Sequence, residues 1–279
     1  MENNKLLNRR IRQALVIIPL LILVGFTLLP IVFMLVSSLK SNAQILSSFW
    51  SLPSPPQWDN YAEAYNSIWR YVANTVIYAV AGSICVIILS AINGYIFAKK
   101  IFPGKELLFM VMLALLMIPG ILTLIPSYVL YSEMGLTNTP WVMIVSSAAG
   151  GQVFGTFLCR SFMSGIPGEL FEAARIDGAR EKTVFVRIVI PLSLPILATI
   201  LIMQSVGVYN DYIWPLLTIR DSNIQVIAVG LTVFQNQFGI ADKGVVFAAY
   251  ALSSVPLLAI FSFGMKYFIQ GMTQGALKM

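Results

Sequence analysis

Six stretches of the sequence are each apolar for about the length that crosses a lipid bilayer, and this limits the possible folds more than any other feature. They lie at 14–36, 74–98, 107–131, 140–163, 193–217 and 244–268. A spanning helix needs roughly 20 apolar residues for a hydrocarbon core about 30 Å thick. Lipid offers no hydrogen bonds, so each helix must satisfy its own backbone. The expectation is an all-α integral membrane protein with six transmembrane helices. Composition agrees. Only 11% of the residues are charged and 58% are hydrophobic, whereas a soluble domain carries about a quarter charged residues. Proline and glycine inside the stretches (Pro19, Pro30, Pro119, Pro126, Gly150, Gly151) are compatible with membrane helices, whose neighbours satisfy the freed carbonyls.

Basic residues orient the chain. With the N-terminus cytoplasmic, 14 of the 18 lysines and arginines face the cytoplasm; only Lys40, Arg70, Arg220 and Lys243 do not. That asymmetry places both termini in the cytoplasm of a multi-pass cell-membrane protein. The net charge of +6 then reflects topology, not nucleic-acid binding. The division is a cytoplasmic N-terminus (1–13), a first span (14–36) and an extracytoplasmic loop (37–73). A core (74–269) follows, with a cytoplasmic loop at 167–190, and then a cytoplasmic tail (270–279). The first stretch follows Arg9, Arg10 and Arg12 as a signal peptide would. It is longer than a 7–15-residue signal core and lacks a clear A-x-A site, so it reads as a retained signal-anchor helix. In the outer loop, Pro53, Pro55 and Pro56 forbid a continuous helix. YAEAYNSIW (61–69) then reads as helical, with aromatics suited to a membrane interface.

Several chemistries are excluded. Without histidine there is no imidazole metal ligand and no Ser-His triad. Cys85 and Cys159 are far apart and lack a CxxC partner, which argues against a zinc site or disulfide framework. No GxxxxGK[ST] is present, so the chain is not itself an ATP-driven motor. No catalytic set converges, and the chain reads as a non-enzyme.

The cytoplasmic loop stands out. PGELFEAARID begins with Pro167 and Gly168, and carries Glu169 and Glu172 near the positive end of a helix dipole. Ala173 and Ala174 are small enough for another surface to approach. Gly178 sits where a left-handed residue ends a helix. A second helix, about 180–190, runs to Pro191, and Pro195 opens the next span. From the residues alone, this is either an interfacial amphipathic helix pair or a handle held by another protein.

Glu172-Ala173-Ala174, Asp177-Gly178-Ala179, Phe185, Ile188, Pro191 and Pro195 resemble the signature of permease subunits of ABC importers. NGYIFAKKIFPGK (93–105), MIPGILTLIPSYVLYSEMGLTNT (117–139), FLCRSFMSGIPGELFEAARIDGA (157–179) and YNDYIWPLL (209–217) are similar to the carbohydrate-uptake branch, in particular to its smaller maltose-permease-type subunit. The tail resembles that subunit's GxTxGxxKG pattern through Gly271, Thr273, Gly275 and Lys278, although it ends at Met279 rather than glycine. The resemblance implies a type I permease fold and several partners. These are a second, larger permease, a homodimer of ATPase subunits carrying ATP and Mg, an extracytoplasmic solute-binding protein, and a sugar. It implies no cofactor on this chain. It assigns ATPase coupling to Glu172, Ala173, Ala174, Asp177 and Gly178, and a tail contact with the ATPase to Gly271, Thr273, Gly275 and Lys278. Transport follows by alternating access.

Polar residues inside apolar spans mark a solute path or helix packing. The candidates are Asn93, Gln204, Tyr209, Asn210 and Asp211, with Gln152 nearby in kind. YNDYIW puts hydrogen-bonding groups beside aromatic rings, as sugar recognition requires; alternatively, Asn210 and Asp211 meet water at a helix end. No basic residue lies deep in the spans, which leans toward a neutral sugar over a glycerol-phosphate-type or acidic one. An ion-coupled secondary transporter would need a carboxylate near mid-depth, where Asp211 comes nearest. A membrane scaffold would share the loop but need no polar path.

Overall fold

A computed structural model describes residues 2–239 and 242–276. Among them the regular structure is helical. Helix α1 (Glu2–Ser38) and the short α2 (Asn42–Ser47) precede α3 (Asp59–Lys99). Then come α4 (Lys105–Ala114), α5 (Gly120–Glu133), α6 (Pro140–Ser164), α7 (Glu169–Ile176), α8 (Glu181–Val184) and α9 (Ile190–Leu192). The chain continues through α10 (Leu194–Asn210), α11 (Ile213–Thr218), α12 (Ile227–Phe238) and α13 (Lys243–Ala276). Four single helices are long and apolar enough to cross a membrane, and two bent pairs bring the number to as many as six.

The bends have local causes. Lys105–Met117 meets Gly120–Glu133 at 99°. Pro119 has no N–H and disfavours helix in the residue before it; Ile118 is accordingly extended, at φ −77° and ψ 117°. Glu181–Leu192 meets Leu194–Asn210 at 71°, where Pro195 supplies the first turn of α10. Two expected boundaries are not helix ends, and one expected span is interrupted. The 37–73 loop gives way to α3 at Asp59, so YAEAYNSIW is continuous with the second span. That 41-residue helix is about 60 Å long, twice the hydrocarbon thickness. The 193–217 span is broken at Asp211, where the backbone is extended. Helix α13 runs through the 269/270 boundary to Ala276.

The chain forms two compact units, one running through Ile68 and including Val233–Leu252, the other comprising Trp69–Thr232 and the described residues from Ser253. In the first, Phe33 near the C-terminal end of α1 stacks on Phe49 and meets Trp50 and Phe247 edge-on. Lys40 is fully buried. Its ammonium donates to the carbonyls of Ser48 and Phe49, at 3.3 and 2.8 Å. A cation is favoured beside these carbonyls because they lie just past the C-terminus of α2.

The second unit is organised by a seam of small residues. On α3, Gly82, Val86, Ser90 and Gly94 recur every four residues. They face Ser147, Gly151, Gly155 and Cys159, which recur in step on α6. Both series advance together, so α3 and α6 run parallel. A Cβ on Gly82 would lie 2.7 Å from Ser147 Oγ, and one on Gly151 would lie 2.8 Å from Val86 Cγ2. Without a hydrophobic drive between helices in lipid, such close backbone approach is what holds them. Polar bonds add to it. Gln204 Nε2 on α10 donates to Ser147 Oγ at 2.7 Å, and Ser83 pairs with Ser205 at 3.2 Å. Earlier along α3, Asn74 donates to the carbonyls of Asn223 and Gln225, and Thr75 accepts the amide of Ile227. These bonds fasten the segment before α12. Arg160 on α6 grips Glu106 of α4 with one guanidinium nitrogen, at 2.9 and 2.7 Å from its two oxygens, and lies 3.7 Å over Phe109.

Candidate functional site

The 167–190 loop forms two short helices joined by a tight turn. Helix α7 ends with Gly178 at φ +73°, a region open to glycine and strained for other residues. The Ala179 amide donates to Ala174 O at 2.9 Å and the Gly178 amide to Arg175 O at 3.0 Å. This is the Schellman pairing that closes a helix C-terminus. Glu181–Val184 then passes into a π-helical turn, Phe185–Val189, before α9.

The two alanines face opposite ways. Ala174 is buried among Tyr95, Phe171, Val184 and Val189 of the chain's own core, so it packs inward rather than toward a partner. Ala173 and Glu172 are exposed, with Asp177 and Gly178. Ile176 completes the exposed surface and is 86% accessible. Sequence reasoning passed over Ile176; an isoleucine between a charged helix end and a turn glycine was the available signal.

The loop is bolted to the end of α3. Tyr95 donates a hydroxyl to Glu181, and Lys100 forms an ion pair with the same carboxylate. Lys99 donates to Ile166 O at 2.7 Å and Ser164 O at 3.3 Å, and lies 5.1 Å over the Phe171 ring. Lys99 thus joins the end of α3 to the end of α6, where a cation offsets the helix dipole. The Lys100 ammonium, and then the Tyr95 hydroxyl, hold the Glu181 carboxyl below the usual carboxylate range. A group with a lowered folded pKa stabilises the fold fully above its unfolded pKa, and the contribution is lost as pH falls through the folded value. Glu181→Gln is therefore expected to speed amide exchange in 181–189 near neutral pH. The wild-type loop should converge on the mutant only in acid, below the ordinary carboxylate range. Exchange that is the same in both proteins at pH 7 would remove this role.

A second feature lies in the same unit. A groove of about 420 Å³ is lined by Gly120, Gly150, Gly151 and Gly207 together with Gln204, Asp211 and Trp214. Of the candidates for a solute path, it unites only Gln204 and Asp211. Tyr209 is buried and donates to Ser253 O, which makes it a packing residue. Asn210 donates to Val206 O one turn back. Asn93 is half-buried and Gln152 offers Ser90 its backbone carbonyl; neither lines the groove. Gly271, Thr273 and Gly275 lie in the last turns of α13, and Lys278 falls outside the described residues.

Comparison with known proteins places these features in a family. Residues 91–274 match the model described as binding-protein-dependent transport system inner membrane component. The diacetylchitobiose uptake system permease protein NgcG of Streptomyces coelicolor is 32% identical over 90% of this chain and 84% of its own length. The melibiose/raffinose/stachyose import permease protein MelC of Bacillus subtilis is 31% identical over 90% of this chain and 91% of its own. A chain from a bacterial ABC transporter that imports the acidic polysaccharide alginate shares the fold, with a TM-score of 0.81 at 23% identity. That match covers 93% of this chain and 97% of the other. The chain belongs to the binding-protein-dependent transport system inner membrane component family of ABC transporter permeases.

Proposed function

We propose that this chain is the smaller permease subunit of an ATP-driven importer that carries a sugar or oligosaccharide inward through the cell membrane, with both termini cytoplasmic. Its partners in this reading are a second, larger permease, two copies of an ATPase that hold ATP and Mg, and an extracytoplasmic solute-binding protein. Relatives named for the uptake of diacetylchitobiose and of melibiose, raffinose and stachyose support the sugar class. One observation carries the coupling role. The loop presents Glu172, Ala173 and Ile176 outward, while Tyr95, Lys99 and Lys100 fix its inner side to α3 and α6. A pull on the exposed face is transmitted to two spanning helices, as rigid-body alternating access requires. The chain itself is a non-catalytic membrane component.

The test is reconstitution. The chain is co-expressed with its candidate partners, purified, and placed in vesicles with the binding protein outside and ATP inside. ATP-dependent uptake of a neutral oligosaccharide is expected, with the ATPase lost from the complex when Glu172 and Gly178 are both replaced. Purification alone, or with a regulatory partner instead of an ATPase, would favour the scaffold reading.

A further inference from the structure

The turn that follows α2 carries its apolar side chains outside. Trp50 is 76% and Leu52 77% exposed, and Leu46 and Phe49 are exposed with them. Between Lys40 and Asp59 the sequence has no charged residue. Lys40 adds no charge to the surface either. Its side chain is buried, and its ammonium is engaged by the Ser48 and Phe49 carbonyls at the base of the turn. A cation is stable in such a place only when it is paired in this way. Several polar groups of the segment are also satisfied from within. The Ser51 hydroxyl donates to Ser48 O at 2.8 Å, the Gln44 side-chain amide donates to Ser54 O, and the Gln57 backbone N–H donates to Leu39 O at 2.8 Å.

Position indicates what this surface meets. Phe33 stacks on Phe49 with ring centroids 4.4 Å apart, and its centroid lies 6.0 Å from that of Trp50. Ile31, Val32 and Leu35, beside Phe33 on α1, are exposed. The turn thus continues the surface of a helix whose apolar window has no burial in the chain. From Leu15, where that span begins, to Phe33 is about 27 Å along a helix rising 1.5 Å per residue. The hydrocarbon core is about 30 Å thick. The rings on Phe33 therefore lie where hydrocarbon gives way to headgroups, the depth that tryptophan favours. A protein docking here would find no charge for the polar rim that protein interfaces carry. Apolar area is enough for a lipid surface.

We propose that residues 46–52 form a lipid-binding surface that enters the headgroup layer in which α1 ends. Leu46, Phe49, Trp50 and Leu52 are the inserted side chains. Lys40 is a positioning residue: it holds the Ser48 and Phe49 carbonyls and so keeps the rings at the surface. The surface is uncharged, so its binding is indifferent to headgroup charge and to salt. The anchor sets the depth of the C-terminal end of α1.

The test uses the full chain reconstituted in phosphatidylcholine vesicles. Emission from Trp50 is taken as the difference between wild type and Trp50→Phe. Lipid brominated near the headgroup end of its acyl chains is expected to quench that emission at least twofold, and more than lipid brominated near the methyl end. Adding phosphatidylglycerol or raising the salt should leave the quenching unchanged. Leu52→Asp puts a charge on the anchor at a side chain that the interior does not use, and is expected to at least halve the quenching of Trp50. Lys40→Met is expected to do the same, with the chain still inserted and the emission of the other tryptophans unchanged. The anchor is overturned if aqueous iodide quenches Trp50 freely and brominated lipid does not. Protection from iodide by added solute-binding protein would then assign the surface to that protein. Unchanged quenching in Leu52→Asp would also remove the proposal. None of these results bears on ATP-dependent uptake, so the importer reading is tested separately.

Discussion

Gly94→Leu is expected to abolish the folded second unit. The glycine faces Cys159 so closely that an added Cβ would fall inside contact distance of the Cys159 Cβ, and 3.0 Å from the backbone nitrogen of Arg160. A backbone atom cannot rotate away as a side chain can. Overpacking commonly costs about 1–3 kcal/mol where side chains can shift; here a rigid helix would have to move, so the upper end is the floor. Thermal unfolding in detergent, followed by size-exclusion recovery, should show aggregated or missing protein. Gly25→Leu on α1 is the control. A Cβ there meets nothing within 4 Å, and recovery should match wild type. Equal recovery of both variants would mean that the α3–α6 seam does not hold the unit.

Ile176→Asp should leave the subunit folded and disable transport. The side chain is 86% accessible, so nothing within the chain depends on it. If the ATPase closes over this face, the isoleucine becomes a buried anchor. Such anchors contribute about 2 kcal/mol or more to an interface, which is roughly 30-fold in affinity. The expected result is normal membrane insertion, at least tenfold less co-purified ATPase, and a matching loss of ATP-dependent uptake. Ala174→Leu provides the contrast. Ala174 is 7% accessible and packs against Tyr95 and Phe171, so its enlargement should lower the stability of the subunit itself. If Ile176→Asp keeps full ATPase association, the exposed face is not the docking face.

Much of this was readable beforehand because membrane physics writes it in simple terms. Apolar length marked the spans, and lysine and arginine placement set their expected direction. Gly178 was legible as a left-handed helix end because few residue types tolerate that backbone. Other features were hidden for physical reasons. The break at Ile118–Pro119 was masked because Pro126, in the same segment, sits inside an intact helix; proline alone does not say which occurrence bends. Ala173 and Ala174 are chemically identical, and only the helix phase against Tyr95 decides which faces out. Tyr209, Asn210 and Asp211 are adjacent, yet a helix ending at Asn210 sends one into the core, one along its own helix and one into the groove. The seam was readable in principle. Small residues at 82, 90 and 94 and at 147, 151 and 155 share a four-residue step, but that match shows only when the two helices are aligned in parallel.

Helix α1 differs from that seam in what it asks of its amino acids. None of the apolar window within Leu15–Ser38 is buried in the chain, so nothing within the subunit tests its shape. A methyl moved or lost on that surface opens no cavity in the chain's own core. The same change at Gly94 or Gly151 would set a carbon against a neighbour's atoms at once. The subunit's own fold is therefore far more sensitive to a single carbon at the seam than along the whole apolar length of α1.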